Sequence, residues 1–113
     1  MQDVAEIEFR GMARSPSLEA LIRDRIERLA RFGAGLRVCR VIVEADWLTA
    51  QGGRSYRVRI GLATARTRID VGGDPVSGPQ HNVCLAISES FHRAEARLRA
   101  ALMAMPERAF SSG

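Results

Sequence analysis

The stretch 82–102 limits the possible folds of this chain more than any other. Apolar residues recur at Val83, Ile87, Phe91, Ala94, Leu98, Ala101, Leu102 and Met105, in steps of three and four. That is one stripe of a 3.6-residue period, so the segment predicts a long amphipathic helix. Ser88, Glu89, His92, Arg93, Glu95, Arg97 and Arg99 occupy the other side. Asn82 is a residue type that caps helix starts, and Pro106 stops the helix after the stripe ends. A helix this long with one apolar face needs a surface to cover, and the rest of the chain must supply it.

That surface reads as a sheet. Ala5, Ile7 and Phe9 alternate with Glu6, Glu8 and Arg10, the period of a half-buried strand. Residues 36–47 are rich in β-branched side chains and predict a strand with Cys39, Val41, Val43 and Ala45 inward. Tyr56, Val58, Ile60 and Leu62 alternate with polar residues, and a shorter strand follows with Thr67, Ile69 and Val71 on one face. Gly52-Gly53 fits a hairpin connection, and 72–80 reads as a plain loop. A first helix opens at Ser15-Pro16, carries Leu18, Leu21, Ile22, Ile26, Leu29 and Phe32 on one face, and closes at Gly33 and Gly35. The order β-α-β-β-β-α predicts an α+β two-layer sandwich, a four-stranded sheet with both helices on one face. Residues 1–105 are expected to form one domain and 106–113 a flexible tail.

Charge narrows the functional classes. The net charge is +4, and all 17 basic residues are arginine. Guanidinium groups bind phosphate bidentately and stack on bases, so the excess points to an anionic partner such as nucleic acid, against the alternative of a solvated surface. On the first helix, Glu19 with Arg23, Asp24 with Arg28 and Glu27 with Arg31 form acid-first pairs at i, i+4, and Arg25 has none. If the two middle strands pair, Arg57, Arg59, Arg66 and Arg68 share an exposed sheet face. Such a row either holds an anion or is relieved by Glu6, Glu8 and Glu44 on neighbouring strands.

Catalytic chemistry finds little support. His81 and Cys84 stand three apart with no second pair to complete a tetrahedral metal site, so a loop histidine and a small residue near the core are expected. The glycine pairs match no phosphate-loop pattern. Trp47 can stack on an unpaired base or cover the edge of the core. No membrane-length apolar run and no secretory leader are visible, so a cytoplasmic protein with reduced cysteines is expected, with no catalytic residue, metal, cofactor or small-molecule substrate.

Four stretches then carry a resemblance: 7–11 leading into Ser15-Pro16-Ser17-Leu18, Arg25-Ile26-Glu27-Arg28-Leu29, 38–43, and Leu85-Ala86-Ile87 through Phe91 and Arg93 to Arg97-Leu98. Their order and spacing, over about residues 4–103, resemble the ribosome hibernation family of hibernation-promoting factor and ribosome-associated inhibitor A. The resemblance implies a fold like a double-stranded-RNA-binding domain and docking to small-subunit rRNA. It also implies a block on the mRNA and tRNA path that silences idle ribosomes. Arg25 and Arg28 fall on the family's Lys-x-x-Lys-Leu pattern, Arg93 falls on a basic position of the last helix, and Arg97 lies near one. The sequence departs from the family pattern at Asn82, Cys84 and Ser88, and at Thr64-Ala65-Arg66 where Pro-Gly is common. The dimerising domain of longer members is not expected.

The candidate RNA-binding set is thus Arg25, Arg28, Arg93, Arg97, Arg57, Arg59 and Arg68. The alternatives are a general double-stranded-RNA binder, a small ferredoxin-like enzyme acting on a phosphorylated substrate, and an adaptor using the free sheet edge.

Overall fold

The structure, a computed structural model, describes residues 5–31, 35–48, 53–73, 75–77 and 81–104, without the side chains of Trp47, Leu48, Arg54, Ser77 and His81. The expectations for Phe32, Gly33, Trp47 stacking, Pro106 and the tail lie outside the described residues, whereas His81, expected in a loop, is the first residue of the last helix. In chain order the elements are β1 (Ala5–Arg10), α1 (Pro16–Arg31), β2 (Val38–Leu48), β3 (Gly53–Ala63), β4 (Arg68–Gly72), β5 (Val76–Ser77) and α2 (His81–Ala104).

The sheet runs β1-β2-β3-β4, with the two-residue β5 also paired to β3. β1 is parallel to β2, and the other pairings are antiparallel. A parallel neighbour needs a crossover, which α1 supplies. The segment expected to be only loop therefore contributes β5, where Val76 faces Tyr56 across the pairing. Among the described residues, α2 already begins at His81, so Asn82 sits inside the first turn and is not its cap.

Period two decides which side of the sheet is buried. Cys39, Val41, Val43 and Ala45 of β2, Tyr56, Val58, Ile60 and Leu62 of β3, and Ile69 and Val71 of β4 all point to the core. Leu18, Ile22, Ile26 and Leu29 of α1 meet them, with Val83, Ile87, Phe91, Ala94 and Leu98 of α2. Fully burying one such aliphatic side chain is worth roughly 1.5–3 kcal/mol, so this shared core holds the two layers together.

Local devices place α1. Ser15 Oγ accepts from the Leu18 amide (3.3 Å) and the Ser15 carbonyl accepts from the Glu19 amide (2.8 Å). The first satisfies a donor that a helix start leaves open, and the second is the first i→i−4 bond of the helix. Just upstream, Gly11 turns the chain at φ 71°, where an added Cβ would stand 2.1 Å from the Ala45 carbonyl oxygen. The turn needs glycine both for its left-handed conformation and for that close approach.

α1 leaves the C-terminal end of β1 and returns to the start of β2, while α2 leaves β5 and reaches back along β4. The two helices therefore run parallel and side by side on one face of the sheet, and Arg25 of α1 lies against Ser88 of α2.

Candidate nucleic-acid interface

The two outer faces of the sandwich differ in charge. On the uncovered sheet face, the described charged side chains are five carboxylates (Glu6, Glu8, Glu44, Asp46, Asp70) and five guanidinium groups (Arg10, Arg40, Arg57, Arg59, Arg68). Register interleaves them. Arg59 reaches Glu44 at 2.9 Å, Arg10 reaches Glu8 at 2.6 Å and Glu44 at 3.9 Å, and Arg40 reaches Glu6 at 3.5 Å. The hydrogen bond from Arg10 holds the Glu8 carboxyl below its usual range. Of the row considered from the sequence, Arg59 is thus paired with an acid on a neighbouring strand, while Arg57 and Arg68 make no ion pair among the described residues. Arg66 is not on that face at all, because β4 starts at Arg68 and Arg66 lies in the preceding turn.

The helix face is different. It carries seven arginines against five carboxylates in α1 and α2. Between the helices lies a cleft of about 180 Å³ lined by Arg25, Arg28, Ser88, His92 and Glu95, with Phe91 and Leu29 beneath. Arg25 is fixed on two sides: its Nη1 meets the Asp24 carboxylate at 3.0 Å and its Nη2 donates to Ser88 Oγ at 3.4 Å. Asp24 thus turns to its neighbour rather than to Arg28, the expected i, i+4 partner. Arg28 carries no ion pair among the described residues, and neither does Arg31 with Glu27. Of the three pairs expected on α1, Glu19 with Arg23 forms, at 3.3 Å. Glu19 also receives a bidentate clamp from Arg14 (2.6 and 2.7 Å), and that hydrogen bonding lowers its pKa.

Arg93 stands one step further round α2, in an adjoining open depression shared with Ser88, Glu89 and His92. Ser88 and His92 belong to both hollows, so Arg25, Arg28 and Arg93 lie along one continuous surface. Arg97 has another use, because its Nη1 donates to the Asp70 carbonyl at 2.7 Å and ties α2 to β4. Arg57, Arg59 and Arg68 face the opposite side of the sandwich. The seven candidates accordingly divide into a helix-side group, a strut and a sheet-side group.

Sequence reasoning missed Ser88, His92 and Glu95 as partners in the cleft. Their spacing of four and three on the flank of the apolar stripe was the available signal. Cys84 is half-buried and Cys39 fully buried, where desolvation pushes the thiol up to about 12. No group of three or more His, Cys, Asp or Glu is placed to hold a metal ion among the described residues, and no helix there is long and apolar enough to cross a membrane.

Fold and surface together define a small two-layer α+β domain with an arginine-lined cleft between parallel helices. The same architecture occurs in a ribosomal subunit interface protein from Coxiella burnetii, which superposes with a TM-score of 0.66 over 88% of this chain and 97% of that one, at 13% identity. The Thermus thermophilus Protein Y N-terminal domain covers 84% of this chain and 93% of its own at 14% identity, with a TM-score of 0.49, too low to carry an argument. No protein-family model and no curated protein matches the chain. The resemblance drawn from the sequence is therefore met in the fold.

Proposed function

We propose that this protein binds rRNA of the small ribosomal subunit and inhibits translation sterically, its bulk occupying the path of mRNA and tRNA. It is a ribosome-associated hibernation factor by this reading, cytoplasmic and without catalytic chemistry. The observation that carries the proposal is the contrast between the faces. The helix side gathers Arg25, Arg28 and Arg93 on one surface, while acids neutralise the sheet side. Guanidinium groups without a full complement of carboxylates suit the phosphates of a folded RNA. The shared fold with a ribosomal subunit interface protein supports the ribosome as the place where that RNA is met.

Reversal of Arg25, Arg28 and Arg93 to Glu tests the proposal. Co-sedimentation with small subunits should be abolished while the circular dichroism spectrum is unchanged. Binding that survives the triple change overturns the site. Excess plain duplex RNA should not strip the wild-type protein from subunits, and stripping would assign it to general double-stranded RNA instead.

A further inference from the structure

The make-up of the inter-helix cleft is wrong for a bare phosphate. A phosphate site gathers donors, yet here the carboxylate of Glu95, whose Oε2 also accepts from Arg99 Nη2 at 2.9 Å and whose Oε1 is left for a ligand, stands on the rim with Arg25 and Arg28. The floor is apolar: Phe91 is 4% exposed and Leu29 is 2% exposed. The rim between them carries Ser88 and His92, each able to donate or accept. A ligand that uses all of this is flat and apolar on its faces, with both donors and acceptors at its edges. A nucleobase has that form. At about 180 Å³ the cleft is smaller than the roughly 300–1,000 Å³ of sites for drug-sized ligands, so one ring system fits and the rest of the molecule stays outside.

The polar groups also choose among the bases. Guanine presents two adjacent donors, N1–H and the N2 amino group, on its Watson–Crick edge, and two acceptors, O6 and N7, on its Hoogsteen edge. A carboxylate accepts from the first edge, and an arginine donates bidentately to the second. Adenine would turn its N1 lone pair towards the carboxylate. Cytosine offers it one donor, the N4 amino group, beside two acceptors, and uracil a single N3–H between two acceptors. Arg28 is the arginine available for the Hoogsteen edge, since Arg25 is held by Asp24 and Ser88 while Arg28 makes no ion pair among the described residues.

Resting on the RNA-binding reading above, we infer that the cleft between α1 and α2 takes an unstacked guanine from single-stranded RNA, with Glu95 reading its Watson–Crick edge and Arg28 its Hoogsteen edge. Arg93, in the open depression beyond His92, extends the cationic surface along which the flanking phosphates run. That extension favours a base borne on a chain over a free nucleotide.

The test titrates the full chain with short oligouridines carrying one central guanosine, adenosine or cytidine, followed by fluorescence anisotropy and by amide shifts. The guanosine oligomer should bind on the order of 10-fold more tightly than the other two, the discrimination expected of one good bidentate contact. Its shifts should centre on Ser88, Phe91, His92 and Glu95. Glu95→Gln, which replaces one acceptor oxygen by a donor, should bring the three oligomers within about twofold of one another. Equal affinities in the wild type, or a guanosine preference that survives Glu95→Gln, overturns the inference. Displacement of the guanosine oligomer by an equal concentration of GMP overturns the RNA-borne source. Loss of base preference with intact subunit binding leaves the broader proposal standing, and survival of subunit binding in the Arg25, Arg28 and Arg93 reversal removes that proposal instead.

Discussion

Replacing Arg25, Arg28 and Arg93 together by Ala should flatten the salt dependence of RNA binding, and replacing Arg10, Arg40 and Arg59 together should not. Each arginine facing a phosphate releases condensed counterions and contributes about 0.7 to the slope of log affinity against log salt on single strands and about 0.9 on duplex. With Arg28 taken up by a base edge, the two remaining contacts account for a slope of about 1.4 to 1.8. Arg25 contributes the least, because Asp24 at 3.0 Å already offsets part of its charge, so the loss should lie nearer the lower bound. Between about 50 and 200 mM salt, a slope of about 1.5 corresponds to roughly 8-fold in affinity, which is the part of the wild-type decline that should vanish. The sheet-side arginines stand 2.6, 3.5 and 2.9 Å from Glu8, Glu6 and Glu44, so removing them frees carboxylates and no phosphate contact is lost. All six side chains lie at the surface or on its margin, where substitutions ordinarily shift stability by less than about 0.5 kcal/mol, so folding should not confuse the reading. Anisotropy of a labelled rRNA fragment across the salt series is the assay. An unchanged slope in the helix-side variant, or an equal flattening in the sheet-side variant, refutes the assignment of the interface to the helix face.

Gly11→Ala should lower the melting temperature by roughly 10 °C or more, since a left-handed alanine costs about 1–2 kcal/mol and its Cβ would sit 2.1 Å from the Ala45 carbonyl oxygen; a change within about 3 °C in a thermal melt would contradict this. Glu19 has a folded pKa depressed below its ordinary 4.5, chiefly by the hydrogen bond from Arg14. Its stabilising contribution is therefore present above that pH and lost as pH falls through the folded value. Denaturant titrations should show Glu19→Gln less stable than wild type at neutral pH, with the gap closing on acidification. Cys39, with its thiol pushed up to about 12 by burial, should resist a thiol-reactive disulfide at roughly pH 8 until the chain is unfolded, whereas the half-buried Cys84 should react in the native state. Equal rates for the two thiols would show that the sheet opens readily.

Side-chain periodicity is a local property, and what depended on it alone was legible in the chain. The inward sets Cys39–Val41–Val43–Ala45 and Tyr56–Val58–Ile60–Leu62, the stripe through Ile87, Phe91 and Leu98, and the Ser15 start of α1 all stand where their spacing placed them. The two-layer α+β architecture followed, because one sheet face and two helical stripes can only bury one another. What required distant residues to meet was decided by the tertiary structure. Register put Arg59 beside Glu44 and Arg40 beside Glu6, and so set acids among the arginines of the sheet face. Asp24 turned to Arg25 instead of Arg28 once Ser88 of α2 took that guanidinium's other side. Arg97 found the Asp70 carbonyl, a contact 27 positions away in the chain. The cleft itself exists only because α1 and α2 lie parallel. A helical face records which residues point outward, and the neighbouring element determines which of them face one another.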